Sequence, residues 1–356
     1  MNDSDIISQS NKTICQMPLR FVVTVDTEAD DAWSRPNEIR VTNLQQLEKF
    51  QDLCDKYEVV PTYLVTYECA TRDEALEALI PIVQKRSCEI GHHLHVWTTP
   101  PFQCRTSKDV DSDWIHAFQF QLPDTLFLEK AERLRQAIED NFGFSPTSHR
   151  AGRWGIDQRT VDWLIASGFV VETSMRTGLR LRQNSPHGEI VASDNRGIAA
   201  LDYELRRNPY HWPSGIDSNE AASIIEIPAT VDVPRGLLPD LSLKFLALKL
   251  PMEFTLFRIF RKFAGLSMLY PDPDLEPGTL PKIIERAIER RVRVINLMLH
   301  SSELSLHCSP FTRTSQGLEL VWNHLEEAFA YIRNCGIVSE RISDVARRAN
   351  DFLFFD

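Results

Sequence analysis

Four separated segments of the chain each join an apolar run to side chains that could do chemistry. They read FVVTVDTEADD (21–31), CEIGHHLHVW (88–97), SHRAGRWG (148–155) and VINLMLHSSEL (294–304). Carboxylates, histidines and an arginine stand where the apolar runs stop. Carboxylate and imidazole groups are the usual ligands of catalytic metals that keep a position open for water and substrate. The combination is therefore typical of a metal-assisted hydrolase.

The spacing within two of these segments places polar residues on shared strand faces. Alternate side chains of a strand lie on one face, so Asp26 and Glu28 share a face. By the same rule His93 and His95 lie together, with His92 on the opposite face. One such residue alone more often caps a loop or fills a hydrogen-bonded core position. Only the combination of the segments favours a metal site.

The elements that must position these residues alternate between strands and helices. Apolar runs such as 21–28 and 292–300 predict buried strands, and segments such as 43–57, 125–143 and 318–336 have helical spacing. This alternation predicts an α/β fold with about seven parallel strands, more like a barrel than a Rossmann sheet. A parallel barrel brings its carboxyl-terminal strand ends to one rim, where all four segments would meet. The chain has neither a GxGxxG motif nor a P-loop, which disfavours nucleotide binding.

Two stretches interrupt the alternation. Residues 98–123 are polar and aromatic and follow the histidines directly, where loops usually shape a substrate site. Residues 241–270 are apolar, with several basic residues and one glutamate, which fits either a helical insertion or contact with a membrane surface. The predicted organisation is a mobile tail at 1–18, a barrel at 19–345 with a helical insertion near 237–270, and a C-terminal tail at 346–356.

Composition narrows the class of protein. The formal net charge of −11 argues against a nucleic-acid partner. Seven cysteines are scattered without a CxxC pair, which favours reduced thiols and a cytoplasmic location. The N-terminal segment MNDSDIISQSNKTICQ lacks the basic and apolar regions of a signal peptide. No run of about 18 uncharged apolar residues occurs, so no membrane-spanning helix is expected.

Taken in order, the four motifs resemble those of the polysaccharide deacetylase family, which has the NodB homology domain. The resemblance covers about residues 20–340, and its motifs are specific only in combination. It implies a distorted (β/α) barrel that removes acetyl groups from N- or O-acetylated sugars. It also implies a divalent metal, usually zinc, and an acetylated carbohydrate as the partner.

The resemblance implies a role for each matching residue. In TVDTE, Asp26 corresponds to the catalytic base and Glu28 to an acidic metal ligand that is usually an aspartate. In EIGHHLH, His93 corresponds to the first metal histidine. In HRAGRWG, Arg150 corresponds to the arginine that orients the base. In LMLH, His300 corresponds to the general acid.

The sequence departs from the family pattern near two of these residues. The second metal histidine usually lies four residues after the first, where this chain has Trp97. His95 is the expected replacement because it shares a strand face with His93, and His92 is the alternative. Gly152 stands in place of the usual proline after the arginine.

Three functions are consistent with these residues. The leading prediction is a metal-dependent hydrolase that removes an acetyl group from an N- or O-acetylated sugar or glycan precursor. A hydrolase acting on the C–N bond of a non-sugar amide would use the same metal site. A glycan-binding pseudoenzyme with impaired catalysis would fit the altered histidine spacing.

Overall fold

A curved sheet forms the centre of the molecule. The computed structural model describes residues 18–34, 38–102, 118–176, 182–185, 188–191, 207–216, 222–232 and 267–353. The strands are β1 (Arg20–Thr27), β2 (Pro61–Val65), β3 (Glu89–Leu94), β4 (Ser148–Ala151), β5 (Val171–Glu172), β6 (Arg182–Ser185), β7 (Gly188–Val191), β8 (Tyr210–Pro213), β9 (Ser223–Glu226), β10 (Val231–Asp232), β11 (Ser267–Met268), β12 (Val294–His300) and β13 (Val338–Ser339).

Eight α-helices and five short 3₁₀ helices accompany the strands in the described part of the chain. The α-helices are α1 (Leu47–Lys56), α2 (Tyr67–Thr71), α3 (Asp73–Lys85), α4 (Asp124–Phe142), α5 (Gln158–Ala166), α6 (Thr279–Glu289), α7 (Ser315–Asn334) and α8 (Ile342–Leu353). The 3₁₀ helices are Ala32–Ser34, Thr42–Gln46, Gln119–Gln121, Gly152–Trp154 and Ser301–Leu304. Side-chain caps start two of the α-helices: Asp157 accepts the Thr160 N–H before α5, and Thr314 accepts the Gly317 N–H before α7.

Seven strands run parallel in one sheet, in the spatial order β12, β1, β2, β3, β4, β5 and β9. Strand β8 extends the sheet antiparallel to β9, and β13 pairs with the start of β1. The pairs β6–β7 and β10–β11 are separate two-stranded ribbons. The sheet curls into a half-barrel flanked by helices, which confirms the predicted distorted (β/α) barrel of about seven parallel strands.

Strand β1 shows why these strands read as continuous apolar runs. Phe21, Val23 and Val25 belong to the main core, in which Phe21 packs edge-on against Phe329 of α7. The alternate residue Val22 belongs to a second core, inside the barrel. A parallel strand covered on both faces needs apolar residues at nearly every position.

The barrel interior is closed at its amino end by the last helix. Val22 of β1 packs there with Val345, Ala346 and Ala349 of α8. This helix crosses the boundary at which the sequence predicted a C-terminal tail, residues 346–356. The buried alanines of α8 pack beneath the strands and belong to this core.

Farther along the strands the interior becomes polar. The Thr24 hydroxyl donates to the Asn296 amide oxygen at 3.0 Å, which joins β1 to β12. On the other side of β12, the irregular segment that follows β9 contacts the strand: the Thr230 N–H donates to the Asn296 carbonyl at 3.1 Å. The Met298 N–H donates to the Leu269 carbonyl at 3.3 Å. The segment that follows β11 is thereby fixed beside the end of β12.

Several predictions concern residues that the structure does not describe, including nearly all of the tail at 1–18 and most of the insertion near 237–270. Among the helices in the described ranges, none is long and apolar enough to cross a membrane. The cysteines in these ranges, at positions 54, 69, 88, 308 and 335, are all free thiols.

Candidate active site and metal centre

The carboxyl ends of β1, β3, β4 and β12 meet at one rim of the barrel. Strand register places Asp26 opposite His300, and His93 opposite Arg150. The structure brings together all six residues singled out from the sequence: Asp26, Glu28, His93, His95, Arg150 and His300. None of the six is more than 9% exposed. Charged groups buried this deeply are stable only when other charges or hydrogen bonds compensate them.

Glu28, His93 and His95 form a compact ligand cluster. One ligand atom from each lies within 4.8 Å of the others. The Nε2 atoms of the two histidines are 3.0 Å apart, and Nε2 of His95 is 3.4 Å from Oε2 of Glu28. Two imidazole nitrogens and one carboxylate oxygen are a typical donor set for catalytic zinc, with a fourth position left for water or substrate.

The surroundings of this cluster fit a bound cation. Nδ1 of His93 lies 2.9 Å from the Arg150 carbonyl oxygen, which can only accept, so Nδ1 carries the proton. Burial lowers the pKa of both His93 and His95, so the rings are neutral and Nε2 of His93 offers a lone pair to the cluster. Burial also raises the pKa of Glu28 to about 8. Ionising this buried carboxylate is therefore unfavourable in the protein alone. A bound divalent cation would compensate its negative charge.

His92, the alternative ligand in the sequence prediction, lies on the outer face of the sheet. Its Nδ1 atom is 2.9 Å from Nδ1 of His149, and its Nε2 atom is 3.1 Å from the Ala131 carbonyl oxygen of α4. Burial lowers the pKa of His92 to about 3. The histidine that accompanies His93 in the cluster is therefore His95.

Two departures from the family pattern are connected in space. Nδ1 of His95 has no hydrogen-bond partner within the described part of the chain, but the ring stacks on Trp97 with centroids 4.2 Å apart. A Cβ atom at Gly152 would lie 2.8 Å from the His95 ring and 2.5 Å from the Leu94 carbonyl oxygen. Because proline also carries a Cβ atom, a proline at 152 would collide with this position of His95.

Arg150 holds Asp26 from the opposite side of the cluster. Its Nη1 donates to Oδ1 of Asp26 at 2.6 Å, its Nη2 to the Thr24 hydroxyl at 2.8 Å, and its Nε to the Thr173 carbonyl at 2.9 Å. Burial is the largest single effect and raises the pKa of Asp26, but the charge and hydrogen bond of Arg150, together with His93 and His300, lower it by more, and the pKa is lowered overall. Asp26 is therefore ionised, with Oδ2 lying 3.8 Å from Nε2 of His93.

His300 is oriented by Glu303, a carboxylate that the sequence prediction did not include. Nδ1 of His300 lies 2.8 Å from Oε1 of Glu303, which also accepts the Tyr270 hydroxyl, and Oε2 accepts the His300 N–H at 3.1 Å. Burial lowers the pKa of His300, but Glu303 and Glu28 reverse this effect and raise it to about 9. Nε2 of His300 is 3.8 Å from Oδ2 of Asp26. The sequence feature that could have identified Glu303 is its position three residues after His300.

The turn after β4 contributes aromatic and cationic groups near this site. Arg153 and Trp154 both adopt positive φ angles, of 57° and 63°, which is costly for residues with a Cβ atom. The Arg153 guanidinium lies 5.9 Å from the Trp97 ring centroid, and that of Arg150 lies 5.0 Å from the Trp154 ring. The strained turn thus places two half-buried side chains beside the residues that hold Asp26 and the metal ligands.

A solved structure with this architecture is a protein from Mycobacterium smegmatis assigned as a polysaccharide deacetylase. It superposes with a TM-score of 0.51 and 14% sequence identity over 94% of this chain and 92% of its own. The fold is the polysaccharide deacetylase barrel. The resemblance that the four motifs indicate is thus confirmed at the level of the fold.

The deacetylase barrel also occurs in proteins with other activities. A 4-alpha-glucanotransferase from Thermococcus litoralis superposes with a TM-score of 0.50 and 10% identity over 94% of this chain and 41% of its own. No family model and no curated protein matches the sequence. Because one fold carries different reactions, the activity must be argued from the site itself.

Proposed function

We propose that this chain is a metal-dependent hydrolase that removes an acetyl group from an N- or O-acetylated sugar or glycan precursor. The observation that carries the proposal is one rim that joins a Glu28–His93–His95 cluster to an ionised carboxylate and a protonated histidine. The fold, which a polysaccharide deacetylase shares, supports the carbohydrate as substrate class.

Glu28, His93 and His95 would hold one divalent metal, with zinc the best match to two imidazoles and a carboxylate. When bound, the metal would polarise a carbonyl oxygen and lower the pKa of a water molecule. The remaining chemistry belongs to the side chains around it.

Asp26 acts as the general base. Its carboxylate stays ionised because Arg150, together with His93 and His300, lowers the pKa by more than burial raises it, and Oδ2 faces the cluster. It takes the proton of the water that attacks the acetyl carbonyl. Arg150 keeps the carboxylate in place through its Nη1–Oδ1 hydrogen bond, which is a charge-assisted pair.

His300 acts as the general acid. With a pKa of about 9 it is protonated at neutral pH, and Glu303 holds its Nδ1 so that Nε2 faces the same space as Oδ2 of Asp26. It donates its Nε2 proton to the departing amine or alkoxide. A base and an acid 3.8 Å apart can serve the two halves of one hydrolysis.

A cavity of about 440 Å³ supports a hydroxyl-rich substrate. It is lined among others by Asp30, Asp31, Arg40 and Thr42 on the segment that follows β1, and by His307 on the segment that follows β12. Polar and charged groups of this kind suit the hydroxyl groups of a sugar. The cavity is lined by the two segments that follow β1 and β12, the neighbouring strands that carry Asp26 and His300.

Location and further contacts of the protein also belong to this proposal. The free thiols of the described cysteines support a reducing, cytoplasmic location. Contact with an anionic membrane surface through residues 241–270 rests on the basic and apolar composition of that segment. Binding to vesicles of acidic phospholipid, compared with vesicles of neutral lipid, tests this contact directly.

The activity is tested by metal analysis combined with acetate release. Purified protein should contain about one divalent metal per chain and release acetate from a panel of N- and O-acetylated sugars. Asp26→Asn should abolish release while retaining most of the metal. Ammonia or another amine released from non-sugar amides, without acetate from any sugar, would favour the amide hydrolase. Metal-loaded protein that binds glycans without turnover would favour the pseudoenzyme.

A further inference from the structure

Two glutamates are buried side by side near Arg150, and the chemistry proposed above does not use them. Glu172 on β5 and Glu226 on β9 are direct cross-strand partners, and both are completely buried. They lie on the outer face of the sheet, where α5 covers the same face with Val161 and Leu164. Like charges in such a position repel each other strongly, so the pair is costly unless a proton or hydrogen bonds compensate it.

Both carboxylates accept hydrogen bonds from the backbone that follows β5. Oε2 of Glu172 accepts the Ser174 N–H at 2.8 Å, and Oε1 accepts the Ser174 hydroxyl. Oε1 of Glu226 accepts the Met175 N–H at 3.0 Å. The two glutamates therefore fix residues 174 and 175 from neighbouring strands.

The same short segment holds Arg150. The Thr173 carbonyl accepts Nε of Arg150 at 2.9 Å, and the Thr173 hydroxyl accepts Nη2 at 3.3 Å. The Ser174 hydroxyl also accepts the N–H of Ala151, the residue after the arginine, at 2.8 Å. A continuous set of hydrogen bonds thus runs from the glutamate pair through residues 173–175 to Arg150.

We propose that Glu172 and Glu226 are positioning residues for Arg150 and that they do so as a pair sharing one proton. The inference rests on the proposed function, because Arg150 matters through Asp26. In this arrangement the protonated pair holds the Thr173 carbonyl and hydroxyl in the place where they receive the guanidinium.

The electrostatics of the pair support the shared proton. Burial raises the pKa of Glu226 well above its ordinary value, and the neighbouring Glu172 raises it further, while Arg150 acts in the opposite direction. Two further titratable groups lie in the same row on the outer face: Tyr210 of β8 is the cross-strand neighbour of Glu226, and His149 of β4 is that of Glu172. Burial lowers the pKa of His149 well below its ordinary value, so this ring is neutral. Oε2 of Glu226 has no well-formed hydrogen bond among these residues, so protonation there breaks no existing contact.

Loss of the proton should weaken the grip of Arg150 on Asp26. A second negative charge would repel Glu172 and attract the guanidinium away from the catalytic rim. Because the pKa of Glu226 is raised in the folded chain, the protonated carboxyl contributes its full stabilisation at pH values below the ordinary pKa of a glutamate. That stabilisation is lost as the pH rises through the folded value.

The first experiment compares wild type with Glu226→Gln across pH. Glutamine keeps an acceptor for the Met175 N–H but has no titrating proton, so activity and Tm should be close to wild type at neutral pH. As pH rises, wild type should lose kcat/KM and Tm faster than the variant. The ratio of kcat/KM between wild type and the variant isolates the effect of Glu226, because every other titrating group, including His300, is common to both proteins.

The second experiment removes the acceptor. Glu226→Ala should lower kcat by roughly 10-fold to 100-fold, in the range expected for a small misplacement of a catalytic group. The acid limb of its kcat/KM profile should move to higher pH, because a loosened Arg150 no longer lowers the pKa of Asp26 as far. The loss should not add to that of Arg150→Ala, because both changes act on one interaction. Ser174→Ala provides the same test if Glu226→Ala does not fold.

Glu89→Gln is the matched control. Glu89 is a half-buried carboxylate that lies at the amino end of β3 and accepts the Thr62 hydroxyl and the Ser343 N–H. Glu89→Gln should change Tm but should not move the acid limb of the kcat/KM profile. The ratio of wild-type to Glu89→Gln activity should stay constant across pH.

If the ratio of kcat/KM between wild type and Glu226→Gln is constant across pH, the proposal that the pair shares a proton is overturned. An unmoved acid limb in Glu226→Ala, with a loss that adds to that of Arg150→Ala, would overturn the positioning role. These outcomes are distinct from failure of the proposed function, in which wild type itself releases no acetate from any sugar. In that case the pH dependence of Tm still decides whether the pair holds a proton.

Discussion

The ionisation of the site residues is set by their neighbours more than by their chemical type. Asp26 lies near the end of β1 and Glu28 just beyond it, two residues apart, and burial raises the pKa of each. Arg150, with His93 and His300, reverses the effect at Asp26, whereas at Glu28 the lowering by His300 is opposed by Asp26, Glu303 and Glu68, and the pKa reaches about 8. The difference supports a base role for Asp26 and a metal-ligand role for Glu28.

Metal content should depend on His93 and His95 but not on His92. Replacing either of the first two by alanine removes a nitrogen from the cluster, and the metal should be lost while the fold remains, since the rim contributes little to the core. His92→Ala is the matched control, because this neighbouring histidine faces α4. Metal analysis and thermal unfolding of the three variants check this. Full metal occupancy in His93→Ala and His95→Ala would contradict the ligand assignment.

Removal of Arg150 should move the acid limb of the kcat/KM profile to higher pH. The base must be ionised to act, so activity is lost below its pKa, and loss of the arginine raises that pKa. The double variant with Asp26→Asn should be little worse than Asp26→Asn alone. Arg135→Ala, at a partly exposed ion pair on α4, serves as the control. An unmoved acid limb would place Arg150 outside the catalytic step.

His300 and Glu303 should control the alkaline limb. His300→Ala should lower kcat by roughly 10²–10⁴-fold with little effect on metal content. Glu303 raises the pKa of His300, so Glu303→Gln should lower it. The acid must be protonated to act, and the alkaline limb should therefore move to lower pH. Near-normal turnover of His300→Ala, or an unchanged alkaline limb in Glu303→Gln, would contradict this assignment.

At the scale of elements, the approach of the turn after β4 to the end of β3 decides how a histidine reaches the metal cluster. The missing Cβ atom of Gly152 leaves room for the His95 ring and for the Leu94 carbonyl. A chain with proline at this position must place its second histidine elsewhere. The two departures from the family pattern are therefore linked: His95 can reach the cluster only because residue 152 is a glycine.

Gly152→Ala should lower metal affinity, because its Cβ atom would force the His95 ring or the Leu94 backbone to shift. Gly168→Ala is the control: the residue has a φ of 80°, and a Cβ atom there meets no neighbour within 4 Å. It should therefore lower Tm through backbone strain without loss of metal. Titration with zinc, together with thermal unfolding, separates the two effects. Unchanged zinc affinity in Gly152→Ala would show that the ring can move aside at no cost.

At the scale of the whole molecule, the barrel separates stability from chemistry along its axis. Its amino end is closed by α8 over Val22 and other apolar residues of the strands, and its carboxyl end carries the charged rim. Thr24 and Asn296 lie between these levels as a hydrogen-bonded layer. A rim supported by a rigid polar layer and an apolar base can lose individual site residues without unfolding, which is the condition for the predictions above.

The sequence by itself determined the class of fold and five of the six residues that meet at the rim, and it left His92 and His95 as alternatives for the sixth. Continuous apolar runs signal parallel strands buried on both faces, and the alternation of side chains along a strand assigns Asp26, Glu28, His93 and His95 to shared faces. These are local properties, readable within ten residues. The parallel arrangement then carries all strand ends to one side, whatever the loops do.

Only the tertiary structure decided which partners these residues have. The choice between His92 and His95 needed the position of the turn at Gly152, and the role of α8 needed the open end of the barrel. The links from Glu172 and Glu226 to Arg150 join strands far apart in the chain. Such contacts depend on the curvature of the sheet and on loop positions. No short-range pattern encodes these, because many sequences with the same periodicity would pack differently.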